Sequence, residues 1–224
     1  MNVSPESRVG EIAAQHPLAT RVFARHGIDF CCGGGVALAE VCAKRKLDTT
    51  EVLEEIEREI TSAGAESASP RWNDVPIAEL VAHIVSGYHD PLREELPRLE
   101  SMTRKVFRVH GDKDPERLGA LLESFLRLKG ELDQHLKEEE ETLFPALLRA
   151  AADRSSELKP FVDDHTRVGA ELHRIRELTD EFRVPDGACN TWNALWHGLA
   201  ALETDLHEHI HLENNVLFPR VAAA

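Results

Sequence analysis

The sequence lacks the features that would direct a chain into or across a membrane. Its first residues, MNVSPESR, have neither the basic start nor the apolar core of a signal peptide, and no later run is apolar enough to cross a bilayer. Basic residues are also few, since 26 Lys and Arg stand against 40 Asp and Glu and leave a net charge of −14. We therefore expect a cytoplasmic protein that binds neither nucleic acid nor anionic membranes and that attracts cations.

Cysteine is scarce as well, and its spacing does not indicate a disulfide framework. The four cysteines stand at positions 31, 32, 42 and 189, without the paired spacings of disulfide-stabilised domains. A disulfide between the neighbours Cys31 and Cys32 would be strained, so free thiols are expected. Cys42 and Cys189 are interpreted as small, buried apolar residues with a structural role.

What the sequence does contain is an eleven-residue pattern, H-x-x-x-E-x-x-x-L-F-P, that occurs twice. The first copy begins at His135 and the second at His209, which places Glu139 and Glu213 four residues after the histidine. Residues four apart lie on the same face of an α-helix, so each copy directs an imidazole and a carboxylate at one point. This spacing is typical of a pair of metal ligands.

A solitary histidine on an apolar stripe precedes each copy. His89 lies 46 residues before His135, and His165 lies 44 residues before His209. One such histidine alone is more often a core residue than a ligand, but buried glutamates are costly unless they are paired or bind metal. Taken together, the four helices predict a two-metal site in a bundle core, whose ligands are His89, His135, Glu139, His165, His209 and Glu213.

Other acids near the pattern compete for these roles. The second copy has Leu212 where the first has Glu138, so the acid that both copies share, Glu139, is favoured. The acids one turn before each pattern histidine are either hydrogen-bond partners of the ligands or ordinary surface acids, and the second interpretation is favoured; they are Glu131 and Asp205. Two acids after the first ligand pair are interpreted as solvated charge: Glu140 and Glu141.

Apolar residues recur with helical period over most of the chain and predict an all-α protein. Residues 73–224 carry four such stretches with short connections, which indicate an up-down-up-down four-helix bundle. Residues 1–62 predict a small helical N-terminal domain with a cysteine loop, and residues 63–72 have the composition of a linker. Pro91 predicts a bend in the first bundle helix near His89.

The cysteine loop has a composition that indicates a function of its own. Three glycines follow Cys31 and Cys32 and allow a sharp turn before a helix predicted over residues 36–46. A thiol just before a helix N-terminus is favoured as a thiolate, so at least one cysteine is expected to be reactive. We predict a redox or metal-handling role for Cys31 and Cys32.

The identity of the metals follows only partly from the ligand types. Imidazole and carboxylate without thiolate suit iron, manganese or zinc, and this chemistry does not decide between iron and manganese. Two carboxylates shared by two metals, each with two histidines, leave room for a bridging oxygen and an exchangeable position.

These motifs resemble those of the repair-of-iron-centres (RIC) family, also called iron-sulfur cluster repair di-iron proteins of the ScdA and YtfE type. The segment IDFCCGG, residues 28–34, is similar to the family's N-terminal cysteine module. The segments around His89 and His165 and the two copies of the pattern are similar to its hemerythrin-like domain. The resemblance covers nearly the whole chain.

The resemblance implies a hemerythrin-like bundle that holds two iron ions in a carboxylate-bridged, non-haem di-iron centre with an oxo or hydroxo bridge. The implied terminal ligands are His89, His135, His165 and His209, and the implied bridging ligands are Glu139 and Glu213. Oxygen-carrying hemerythrins are less similar, because their third helix has a second histidine where this chain has Gly169. One ligand fewer implies more open coordination and a more labile metal, which suits an iron donor.

The resemblance also implies the function. It predicts repair of iron-sulfur clusters damaged by nitrosative or oxidative stress, by a factor that supplies or exchanges iron and is not an enzyme with conventional turnover. Damaged iron-sulfur proteins would be its partners, and nitric oxide or oxygen species would be ligands of the irons. Two alternatives stay open: a nitric oxide or peroxide reductase at the di-iron centre, and a gas or redox sensor. We assign no catalytic residue, and the small N-terminal domain predicts a homodimer.

Overall fold

The computed structural model of the protein describes residues 3–62, 72–149 and 155–222. Within these ranges the chain forms helices and turns and no strand, so the all-α prediction is confirmed. None of the described helices is long and apolar enough to cross a membrane. The helices are α1 (Val9–Gln15), α2 (Ala19–Arg25), α3 (Leu38–Arg45), α4 (Thr49–Ser62), α5 (Ile77–Ile84), α6 (Asp90–His110), α7 (Pro115–Glu138), α8 (Phe144–Arg149), α9 (Ser155–Leu178), α10 (Asn190–Leu212) and α11 (Phe218–Ala222).

The first of two compact units contains the described residues up to Val81 and those from His207 onward. Helices α1 to α4 enclose a small apolar core, whose fully buried members include Phe23, Leu38 and Ile56. The predicted linker, residues 63–72, lies outside the described residues except for Trp72. The predicted domain boundaries therefore stay a prediction.

The second unit contains most of the described residues between Ala82 and Leu206 and is built from α6, α7, α9 and α10. Helices α6 and α7 pack side by side and are joined by only four residues, so they run antiparallel. The hydroxyl of Ser124 on α7 donates to the Glu171 carboxylate of α9 at 2.5 Å. This polar contact joins the second and third helices of the bundle.

Two further contacts close the bundle. Arg176 on α9 donates from Nε to the buried Glu203 carboxylate on α10 at 2.9 Å. The negative charge of Glu203 is therefore compensated although the residue is buried. Helix α10 approaches α6 at Gly198, where a Cβ atom would lie only 2.6 Å from Cδ2 of Leu99. A side chain at position 198 would therefore require the Leu99 side chain to move.

In the described parts of the chain, three π turns interrupt the helices: π1 (Val85–His89), π2 (Glu139–Leu143) and π3 (Glu213–Leu217). A proline stands two residues after the last residue of each turn: Pro91 after π1, Pro145 after π2 and Pro219 after π3. A proline inside a helix offers no amide hydrogen and clashes with the carbonyl four residues earlier. The wider π turn accommodates that clash with one extra residue. The structure thus has π1 where the sequence predicted a bend near His89.

Candidate metal centre

The six side chains predicted as metal ligands lie in two groups that share two members. The first group is His89, Glu139, His209 and Glu213, and the second is His135, Glu139, His165 and Glu213. The ligand atoms of each group lie within 4.8 Å of one another, and all six residues are buried. Each group therefore offers two imidazoles, and both carboxylates belong to both groups.

The H-x-x-x-E spacing produces the same local geometry twice. His135 Nε2 lies 3.2 Å from Glu139 Oε1, and His209 Nε2 lies 3.2 Å from Glu213 Oε1. Residues four apart on a helix are neighbours on one face, and here that face is turned inward. Each copy thus directs the imidazole and the carboxylate at a common point, as the sequence predicts.

The two solitary histidines approach the same side chains. His89 Nε2 lies 3.5 Å from Glu139 Oε2, and His165 Nε2 lies 3.1 Å from His135 Nε2. Glu139 has no exposed surface, and ionised carboxylates are costly to bury unless a positive charge compensates them. Four imidazoles and two carboxylates, with no thiolate, form a donor set suited to a di-iron centre.

Three of the six predicted ligands occupy the π turns. His89 is the last residue of π1, while Glu139 and Glu213 are the first residues of π2 and π3. An inserted residue changes the direction of the side chains on either side of it, which is why π turns are frequent at functional sites. In both copies of the pattern the proline of L-F-P stands two residues after the π turn. The proline that favours the turn therefore also influences the orientation of the glutamate at which the turn begins.

Glu140 has a role that the sequence prediction missed. Its Oε1 accepts a hydrogen bond from His89 Nδ1 at 2.7 Å and also pairs with Arg93. Burial opposes the charged form of Glu140, but the hydrogen bonds from His89 and Arg93 outweigh it and hold the pKa below its ordinary value. The interpretation as solvated charge is therefore wrong: Glu140 orients His89 so that Nε2 faces the centre.

Asp164 holds His135 in the same way. Its Oδ2 lies 3.3 Å from His135 Nδ1, and its other oxygen pairs with Arg167. Of the two acids considered for this role from the sequence, Asp205 instead lies near Glu95, and burial together with that like charge raises its pKa. Comparing the two copies of the pattern could not identify the role of Glu140, because the second copy has Asn214 at the equivalent position.

The cysteine loop is organised by Asp29. Its Oδ1 accepts hydrogen bonds from the amides of Cys31 and Cys32, both at 3.0 Å, and its Oδ2 accepts one from the amide of Gly33 at 2.9 Å. Cys31 is buried, and its Sγ lies 3.2 Å from Asp29 Oδ1 and 3.8 Å from Cys32 Sγ. Within the described residues, neither thiol forms a disulfide.

The predicted thiolate is wrong for Cys31. Helix α3 begins at Leu38, six residues after Cys32, so its dipole does not act on the thiols as expected. The hydrogen bond with Cys32, burial and the charge of Asp29 all raise the pKa of the Cys31 thiol. Cys31 is therefore protonated at neutral pH, while Cys32 is half-buried.

Asn215 attaches this loop to the segment that carries Glu213. Its Nδ2 donates to the carbonyl oxygens of Phe30 at 3.3 Å and Cys31 at 3.1 Å. The ring of the buried His211 packs edge-on against Phe30, with their centroids 5.5 Å apart. The cysteine loop and the C-terminal π turn are thus parts of one packed unit.

Comparisons with known proteins agree with this architecture. Residues 5–59 match the model of ScdA_N, a domain of unknown function, and residues 80–221 match the model of the hemerythrin HHE cation binding domain. Curated relatives include the iron-sulfur cluster repair proteins YtfE of Yersinia pseudotuberculosis serotype O:1b (strain IP 31758) and Yersinia pestis (strain Pestoides F). Each is 41% identical over 216 residues, which cover 95% of this chain and 95% of the relative.

Proposed function

The chain belongs to the family of iron-sulfur cluster repair proteins with an N-terminal ScdA_N domain and a hemerythrin-type domain, and on this premise we propose that it repairs damaged iron-sulfur clusters with iron held in its bundle. Iron-sulfur proteins are accordingly its targets. The observation that carries the proposal is that Glu139 and Glu213 belong to both ligand groups, which is the arrangement that two carboxylate-bridged metals need.

The roles of the six residues follow from the two groups. His89 and His209 would hold one iron, His135 and His165 would hold the other, and the two glutamates would bridge them. Bound there, the irons supply exchangeable metal and open coordination positions for small ligands. Glu140 and Asp164 keep the ring nitrogens that face away from the centre protonated, so that the opposite nitrogens stay free to bind metal.

The ligand count favours a donor of iron. Gly169 lies one turn after His165 on α9 and has no side chain to offer, so that helix contributes a single ligand. A centre with fewer protein ligands exchanges its metal more readily. Nitric oxide and oxygen species would bind at the open coordination positions of the irons.

The homodimer and the cytoplasmic location expected from the sequence stay predictions.

Cys31 and Cys32 would handle electrons or metal during the repair. Their loop is anchored by Asn215, two residues after the proposed ligand Glu213, and this attachment supports a joint function of loop and centre. Replacing Cys32 with Ala should slow repair while the bound iron stays in place. Cys42→Ala is the matched control, because Cys42 lies in the apolar core of the first unit. Equal repair by both variants would exclude the thiol role.

The direct test mixes the iron-loaded protein with an iron-sulfur enzyme inactivated by nitric oxide and follows the recovered activity. Recovery should exceed that given by the same amount of free ferrous iron, and Glu139→Ala should abolish the difference. Recovery no greater than with free iron would contradict the proposal. The reductase alternative predicts instead that nitrous oxide accumulates over many turnovers when nitric oxide and a reductant are supplied.

A further inference from the structure

Cys189 does not have the structural role that the sequence indicated. The residue is exposed, whereas Cys31 and Cys42 are buried and Cys32 is half-buried. Its carbonyl oxygen accepts the hydrogen bond of the Asn193 amide at 3.0 Å, so Cys189 caps the N-terminus of the 23-residue helix α10. The amides at such an end favour negative charge nearby.

A histidine from another helix is directed at this sulfur. His110, the last residue of α6, has its Nε2 atom 3.3 Å from Cys189 Sγ. The residue is only 9% exposed. Among the described contacts, the Cys189 sulfur is the hydrogen-bond partner of this imidazole, which makes the pair a thiol with an adjacent base.

Aromatic packing fixes the position of the base. The His110 ring lies against the Trp192 indole with a centroid distance of 4.8 Å, and Trp192 in turn packs edge-on against Trp196. Trp196 is anchored by its indole N–H, which donates to the Thr179 carbonyl oxygen at 3.1 Å. Trp192 is buried, and its Nε1 atom has no hydrogen-bond partner in the part of the chain that the structure describes.

We propose that Cys189 is a site of oxidation by peroxides, with His110 as its base. The thiol proton passes to His110 Nε2 as the sulfur attacks one peroxide oxygen. The O–O bond breaks, an S–O bond forms, and His110 returns the proton to the leaving oxygen, so that thiol and peroxide give a sulfenic acid and water or an alcohol. The sulfur is oxidised by two electrons and the peroxide is reduced by two.

This site is separate from the metal centre. His89 directly precedes the 21-residue helix α6 and His110 is the last residue of that helix, which is roughly 30 Å long at 1.5 Å per residue. The proposal therefore does not depend on iron repair, and it assigns the oxidant-sensitive thiol to a cysteine outside the N-terminal loop.

The test treats the iron-loaded, full-length protein without oxygen with one equivalent of hydrogen peroxide, traps sulfenic acid with dimedone and locates the adduct by peptide mass spectrometry. Cys189 should carry most of the adduct, and His110→Gln should lower its rate of formation at least about tenfold. His173→Gln, which alters an exposed histidine on α9, should have no effect.

Two outcomes would overturn the proposal: an adduct found mainly on Cys32, or an unchanged rate in His110→Gln. The distribution among the cysteines of the wild-type protein needs no variant, so the test stands even if His110→Gln folds poorly. Iodoacetamide, which needs no oxidant, provides a second measurement and should alkylate Cys189 before the other three cysteines.

Discussion

Single residues set the direction of each proposed ligand, and Glu140 shows how. Its carboxylate accepts a hydrogen bond from His89 Nδ1 and is itself held by Arg93. Without that acceptor the imidazole loses both its fixed orientation and its preferred tautomer. The residue matters although it does not face the metal centre.

Glu140→Gln should weaken iron binding by about 10- to 100-fold. The amide keeps the size of the side chain but removes the charge that holds His89 and Arg93. The affinity is measured by competition with a chelator, and Glu141→Gln, an exposed neighbour in the same π turn, is the matched control. Equal affinities of the two variants would show that Glu140 does not position His89.

His211 should make the protein sensitive to acid. Burial lowers its pKa to about 4, against a hydrogen bond to the Phe30 backbone that raises it. The folded state thus favours the neutral ring, and its contribution to stability is complete above the unfolded pKa of about 6.5 and is lost as the pH falls towards 4. His211→Phe should reduce the acid-induced loss in the free energy of unfolding by about 2 to 3 kcal/mol.

The measurement is the free energy of unfolding in urea at pH 7 and near pH 4, for the wild type and His211→Phe. His173→Phe, at an exposed position, should behave like the wild type. The account fails at this point if His211→Phe loses as much stability as the wild type over the same pH range.

The residues that the sequence predicted and those that it missed differ in one physical respect. Glu139 and Glu213 occupy equivalent places in a repeat and lie on an apolar stripe, so both signals identify them. Glu140 and Asp164 lie beside the stripe and have no equivalent in the other half of the chain. Their role depends on a contact with a side chain from another segment of the chain. Sequence periodicity does not indicate which side chains meet between segments.

At the scale of helices, the π turns show what a helical period cannot predict. The spacing of apolar residues identified the bundle helices, and Pro91 indicated an irregularity near His89. An extra residue in one turn shifts the period only locally, so the pattern of apolar residues did not show π1, π2 or π3. Their position is explained by the proline that follows each one.

Pro145→Ala and Pro219→Ala should lower the iron content while the helix content stays the same. Alanine restores the missing amide and removes the clash, so the turn can revert to regular α-helix and rotate Glu139 or Glu213 away from the centre. Pro97→Ala is the control, because Pro97 lies inside α6 and is not the proline two residues after the end of a π turn. Circular dichroism and metal analysis give the two readouts, and full iron content in both variants would refute the link.

At the scale of the whole molecule, Asn215 connects residues 184 positions apart by its hydrogen bond to Cys31. The sequence indicated a cysteine loop and a metal-ligand pattern but gave no sign that the two pack together. Gly34 is needed for this packing, since a Cβ there would lie 2.5 Å from Asn215 Oδ1 and 2.8 Å from the Phe30 carbonyl oxygen.

Gly34→Ala should destabilise the protein by about 1 to 3 kcal/mol, because the added methyl group cannot be accommodated without moving the loop. It should also speed the alkylation of Cys32. Gly35→Ala is an adjacent control, since a Cβ at position 35 meets no atom of the described residues within 4 Å. Urea unfolding and thiol labelling measure the two effects, and identical behaviour of the variants would exclude the close packing of the loop on Asn215.

The metal content of protein purified without oxygen tests the central claim most directly. Two ligand groups that share Glu139 and Glu213 predict two irons per chain, and Glu139→Ala should lose most of both while Glu138→Ala keeps them. A wild-type protein that binds no iron when supplied with it, or a Glu139→Ala variant that still holds two irons, would contradict the account.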